Sequence, residues 1–252
     1  MPMRPAQRFN CTADVELMSN YTKTMVCLAT SKKDGGRCVA GKSVDTADRG
    51  QWIRPVSSRM TAEISLEERQ YQDGSEPQLF DIVQIPMMAS IPRGHQTENH
   101  LIDSHEYWSK NGTVAWSDLH PLIDTPATLW TNEASSTAGT NDRVIPATAA
   151  TLTNSLCLIK PQQLTIHVLA PGAAFGNPKR KVRANFMYNG TWYDFSVTDL
   201  IVASEFLGRS DDVYKIDQDV YFCVSLGEAH TDPYGNTFCY KLVAAIFSQQ
   251  PL

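Results

Sequence analysis

Residues 181–197 read KVRANFMYNGTWYDFSV, and two features of that stretch decide its conformation. Asn189–Gly190 supplies the two positive φ angles of a two-residue type I′ turn, and the runs on either side alternate with a period of two. Pairing Tyr188 with Thr191 predicts a hairpin with Val182, Ala184, Phe186, Tyr188, Tyr193, Phe195 and Val197 on one face. That face is the core face, because nearly all of it is apolar. Arg183, Asn185, Met187, Trp192, Asp194 and Ser196 fall on the other. Cations beside an exposed tryptophan suit a surface that stacks bases and contacts phosphates. The competing reading packs Trp192 under a loop or against another domain.

Working outward, the same β pattern recurs. KTMVCLATS (23–31), RCVAGKSV (37–44), QWIRPVS (51–57) and LFDIVQIPMM (79–88) are short apolar or alternating runs separated by turn-rich pieces such as KKDGG and DTADRG. SLCLIK (155–160), LTIHVLA (164–170), VYFCVSL (220–226) and TFCYKLVAAIF (237–247) continue it. Two short helices are expected. One lies in TAEISLEERQY (61–71). The other lies in VTDLIVASEFLG (197–208), where Thr198 or Asp199 can cap the first turn and Gly208 can end the last. Residues 125–155 are rich in Thr, Ala, Ser and Asn with little apolar period, so a junction belongs there. An exposed junction would be cut by proteases within about residues 131–150. The expected organisation is an all-β chain: an extension over 1–20, a first β domain over 21–124, a connecting segment over 125–155 and a second β domain over 156–252.

Length and composition agree with two cores of ordinary size. The chain has 252 residues, of which 42% are hydrophobic and 19% charged, well away from disordered compositions. Its start, MPMRPAQRFNCTADVELMS, has no apolar run of signal-peptide type. No later segment approaches the ~20 apolar residues that span a bilayer. The expectation is a cytoplasmic protein without a membrane partner. Cys11, Cys27, Cys38, Cys157, Cys223 and Cys239 are scattered, with no paired spacing for zinc or redox chemistry. They are expected to be reduced and mostly buried. The Asn-x-Thr triplets at Asn10, Asn20, Asn111 and Asn189 do not point to glycosylation without a secretory signal.

The net charge of −5 argues against a protein that coats nucleic acid indiscriminately, yet the charge is unevenly placed. Residues 31–59 hold seven Lys/Arg against three Asp, and residues 171–185 hold four Lys/Arg and no acid. Residues 61–145 carry thirteen acids against four bases, and residues 186–235 nine against two.

Three catalytic or metal-binding patterns fail on spacing. GRCVAGKS (36–43) formally matches a phosphate-binding loop, but such a loop must end a strand and open a helix that favours the anion. Cys38, Val39 and Ala40 read as strand, and Gly50 follows too soon for a helix of useful length. Lys42 reads instead as a strand-borne surface cation. His95, His100 and His105 lie near Glu98, Asp103 and Glu106, but neither strand nor helix spacing brings a ligand set together. Nucleophilic catalysis lacks an elbow motif or a cysteine with a histidine partner. The chain is expected to be a non-enzyme without a cofactor or metal.

MVCLATSKKDGGRCVAGK, QWIRPVS, FDIVQIP, HQTENHLID, NDRVIP, SLGEAH and CYKLVAAIF together resemble the prokaryotic dual OB-fold-containing family, over nearly all of residues 22–248. The resemblance implies two OB-type barrels in tandem and a binding or sensing role in bacterial defence loci. Because OB barrels commonly hold single-stranded nucleic acid with a basic groove and stacking aromatics, it also implies a candidate surface. In the first domain this comprises Lys32, Lys33, Arg37, Lys42, Trp52 and Arg54. In the second it comprises Lys179, Arg180, Lys181, Arg183 and Trp192. Partners expected on this basis are single-stranded DNA or RNA and an effector protein. The alternatives are a nucleotide-sized ligand in a closed polar pocket and an adaptor docking an effector through an apolar patch.

Overall fold

The computed structural model describes residues 20–33, 35–173, 176, 178–232 and 234–252, so the expected N-terminal extension, save Asn20, and Cys11 lie outside the described residues. The first sheet is built from β1 (Tyr21–Lys33), β2 (Gly36–Ser43), β3 (Trp52–Val56), β4 (Asp81–Ser90), β5 (Asn99–Ile102) and β6 (Ser109–Thr113). Its strand order is β1-β2-β3-β5-β4-β6. The first half of β1 pairs with β4 and the second half with β2, which closes five strands into a barrel. β3 and β5 run parallel. A helical turn, α1 (Leu66–Arg69), lies between β3 and β4, held by a capping box between Ser65 and Glu68.

The second sheet repeats the plan. It contains β7 (Arg143–Val144), β8 (Leu156–Ile159), β9 (Gln162–Leu169), β10 (Lys181–Tyr188), β11 (Thr191–Val197), β12 (Asp212–Lys215), β13 (Val220–Thr231) and β14 (Thr237–Ser248). Its order is β12-β9-β10-β11-β14-β13-β8, with β11 and β14 parallel. β8 and β9 are halves of one strand parted at Lys160–Pro161, where proline has no N–H for the ladder. β8 pairs with β13 and β9 with β10, so the ring of strands returns to the stretch of chain where it began. Two further short helices are α2 (Pro146–Ala149) and α3 (Leu200–Leu207). Asp199 caps α3 by accepting from the N–H groups of Ile201 and Val202, and Gly208 ends it. The β10–β11 hairpin has the register read from the sequence, with Tyr188 opposite Thr191 and Phe186 opposite Tyr193. Its turn residues Asn189 and Gly190 both have positive φ.

Each barrel has its own apolar interior, and a third cluster lies between them. Met25 and Cys27 point into the first barrel, while Val26, Leu28 and Ala40 on its outer face meet Leu158, Tyr221, Cys223 and Phe247 of the second. Phe80 packs on Phe247 at 5.1 Å and Trp116 on Tyr221 at 5.0 Å between ring centroids. This explains why MVCLA, YFCV and LVAAIF are continuous apolar runs: both faces of those strands are covered. The hairpin at 181–197 alternates because one of its faces carries polar side chains.

The connecting segment does not have the open character that its composition suggests. Leu129, Trp130, Val144 and Ala149 are buried in the second barrel's core, and β7 pairs with β14. Trp130 Nε1 donates to the carbonyl of Asn154 at 3.1 Å. Small polar residues appear here because the segment lies flat on the barrel. A Cβ on Gly139 would collide with the Asp142 carboxylate and the Arg183 guanidinium. The five described cysteines are free thiols, four of them buried.

Candidate nucleic-acid interface

The outer face of the second barrel bears a cleft of about 860 Å³, bounded by the β9–β10 connection, the β13–β14 hairpin and residues 136–138. In a five-stranded barrel of this order, the second and third strands with these two loops form the usual ligand face. β10 and β14 bring Lys181 and Tyr240 to the cleft, β7 brings Arg143, and His167 and His230 stand at its sides. Tyr234, 90% exposed, projects from the hairpin tip. The tip is organised by Asp232, which accepts from the N–H groups of Asn236 and Tyr234. The hydrogen bond from the Asn236 N–H, aided by the charge of Arg143, holds its carboxyl below the usual range.

Arg143 is the distinctive cation here. Its guanidinium carbon lies 4.6 Å from the centre of the Phe238 ring and 5.3 Å from that of Tyr240. Its Nε is buried without a hydrogen-bond partner. Among the described residues, no carboxylate lies within ion-pair distance of Arg143 or of the exposed Lys181. A guanidinium packed over two rings keeps its position at low entropic cost and can donate to a phosphate.

The expected site residues separate into groups. Lys179 and Lys181 line the cleft, whereas neighbouring Arg180 turns away to Asp211 and to the carbonyls of Leu207 and Arg209. Arg183 is in the cleft floor but only 4% exposed. It pairs with Asp194 at 2.5 Å and Asp142 at 3.1 Å and donates to Ser196 Oγ. The expectation that Arg183 contacts phosphate is therefore corrected: two carboxylates neutralise it. Trp192 is exposed but borders a different groove.

The first-barrel residues do not join this cleft. Lys32 is exposed beside the second barrel, its N–H donating to the carbonyl of Thr198, and Lys33 lies 3.8 Å from Glu228. Arg37 bridges to Ile64 across the chain. Lys42, Trp52 and Arg54 occupy the equivalent β2–β3 face of the first barrel, but the second barrel and its approach cover that face. Lys42 donates to the carbonyl of Leu122 and to Asp124, which also accepts from Trp52 Nε1 and from the N–H of Leu158. Arg54 donates to Ser155 and pairs with Glu98. Lys42 and Arg54 are thus corrected from surface cations to buried parts of the inter-barrel contact. GRCVAGKS is all β2, with no helix after Ser43. Lys42→Ala is expected to lower stability by about 1–3 kcal/mol through the stranded Asp124 partner, with no ATP or GTP turnover to lose. Thermal melts and a phosphate-release assay check both halves.

The histidines are similarly dispersed. His95 is buried against the carbonyls of Leu226 and Gly227, His100 meets the Tyr21 hydroxyl at 2.7 Å, and His105 is exposed. Burial lowers the His100 pKa. Sequence reasoning missed Arg143, His167, His230, Tyr234 and Tyr240. Tyr234 sits in a readable turn, DPYGN, but nothing local places it beside Arg143, which is roughly ninety residues away.

One closed ring of five strands, and a second sheet that repeats its strand order and returns to the stretch of chain where it began, each with a helix between its third and fourth strands, define a tandem OB-fold protein, a class whose members commonly bind nucleic acids. A model of the dual OB-containing domain matches residues 23–246, and the chain belongs to that family. No curated protein and no solved structure was found to match it. Among the described residues, no helix is long and apolar enough to cross a membrane.

Proposed function

We propose that this chain is a non-catalytic module that binds single-stranded nucleic acid through the cleft of its second barrel. The observation that carries this reading is Arg143, packed over the rings of Phe238 and Tyr240 and without an ion-pair partner among the described residues, in a cleft that Lys179 and Lys181 also line. A basic site confined to one barrel also suits an acidic chain better than a long coating groove would. Sensing in a bacterial defence setting belongs to the same reading and needs a ligand first.

Binding of oligo-dT and oligo-rU should weaken with salt, each neutralised phosphate contributing about 0.7 to the slope of log K against log salt. Arg143→Ala and Lys181→Ala should each flatten that slope by about 0.7 if each residue holds one phosphate, while melting temperatures stay near wild type. Fluorescence anisotropy across a salt series measures this, and a wild-type protein that binds neither polymer at low salt would sink the reading. The volume of the cleft, about 860 Å³, favours one second reading, a nucleotide-sized ligand. Competition by mononucleotides as effective as that by oligonucleotides would select it.

A further inference from the structure

Trp192 lines a second groove of about 760 Å³, together with Pro161, Gln162, Gln163, Leu164 and Ile216. This groove exists because the first strand of the barrel breaks at Pro161 and resumes through Gln163, which has a φ of 50° in the left-handed region. Its charges are closed on themselves: Lys160 pairs with Asp219 at 3.0 Å and Lys215 with Asp217 at 2.6 Å. What it offers a ligand is Trp192, a residue 42% exposed, and the exposed residues Gln162 and Gln163. Such a surface attracts phosphate weakly and takes a flat ring well.

The groove and the cationic cleft share the outer face of β9, β10 and β11. Arg183 forms the cleft floor, Asn185 and Met187 continue the same face of β10, and Met187 lies opposite both Trp192 of β11 and Gln162 of β9. Six residues of strand separate Lys181 from Met187, which is about 20 Å. At about 3.4 Å per stacked nucleotide, that distance is several nucleotides, and a mononucleotide cannot cover it. Resting on the nucleic-acid reading above, we infer that the Trp192 groove is a base-stacking subsite for the same strand whose phosphates occupy the cleft. The ligand is then a single strand of several nucleotides, held by charge at one end and by stacking at the other.

The test is anisotropy with labelled oligonucleotides from two to ten nucleotides long, comparing wild type, Trp192→Ala, Trp192→Phe and Arg143→Ala. Wild-type affinity should climb steeply between about four and eight nucleotides. Trp192→Ala should lose roughly 5- to 150-fold on long strands, leave two-nucleotide binding unchanged and keep the salt slope. Trp192→Phe should recover most of the loss. Length-independent affinity, or long strands bound equally well by Trp192→Ala, would overturn the subsite. With an Arg143-dependent salt slope still present, that outcome leaves the cleft reading standing. Absence of binding at every length overturns both.

Discussion

Arg183→Met is expected to destabilise the protein by about 3–5 kcal/mol, because it strands two carboxylates in a covered site. Asp142 and Asp194 are only 3% and 8% exposed, and Arg183 is the guanidinium placed between them. Asp142 also accepts from the N–H and hydroxyl of Ser136, so losing the cation should loosen residues 136–142 as well as the barrel wall. Urea denaturation measures the loss, and hydrogen exchange should localise it. Lys181→Ala, two residues away but exposed, should change stability by less than about 0.5 kcal/mol. If Arg183→Met melted like wild type and instead flattened the salt slope of binding, the residue would be a phosphate contact after all.

The second large effect concerns Lys241, only 1% exposed and directed into the second barrel. Its ammonium donates to the carbonyl of Thr131 at 2.5 Å and lies 5.5 Å and 5.8 Å from the centres of the Tyr193 and Phe195 rings. It thereby ties the connecting segment across the barrel end. Burial pushes its pKa from 10.5 down to about 7, against the opposing pull of Asp142 and Glu133. A lowered folded-state pKa means that the unfolded chain holds more protons between pH 7 and 10.5, so stability rises with pH across that window. From pH 7 to 8.5 the gain is about 1.5 kcal/mol. Above pH 9 the buried thiols of Cys27, Cys157 and Cys223, whose pKa values burial raises, work in the opposite direction. A stability maximum near pH 8–9 follows. Melts at intervals from pH 6.5 to 9 check it: the rise above pH 7 should vanish in Lys241→Met, and an unchanged slope in that variant would show that Lys241 does not titrate there.

Much of the fold was legible because its signals are local. Asn189–Gly190 and the alternation beside it gave the hairpin register residue by residue, and Asp199 and Gly208 bounded α3. The candidate site was legible only in part. Lys179 and Lys181 do reach the cleft, but Lys42, Arg54 and Arg183 look the same as letters and are buried in ion pairs. Three of their partners, Asp124, Glu98 and Asp142, lie from 41 to 82 residues away along the chain, where spacing says nothing, and only Asp194 shares a predicted hairpin face with its cation.

By itself, the sequence determined that the chain is a strand-built pair of domains and which residues of its clearest hairpin face the core. Turn chemistry and side-chain alternation act over a few residues, so they can be read without knowing the rest. Only the tertiary structure decided which surface stays available for a ligand. Packing the barrels together covers the β2–β3 face of the first, and folding the connecting segment over the second hides Arg183 while bringing Arg143 to the cleft. Whether a cation meets solvent or a carboxylate depends on contacts between distant segments, and those form only when both barrels and the segment joining them are in place.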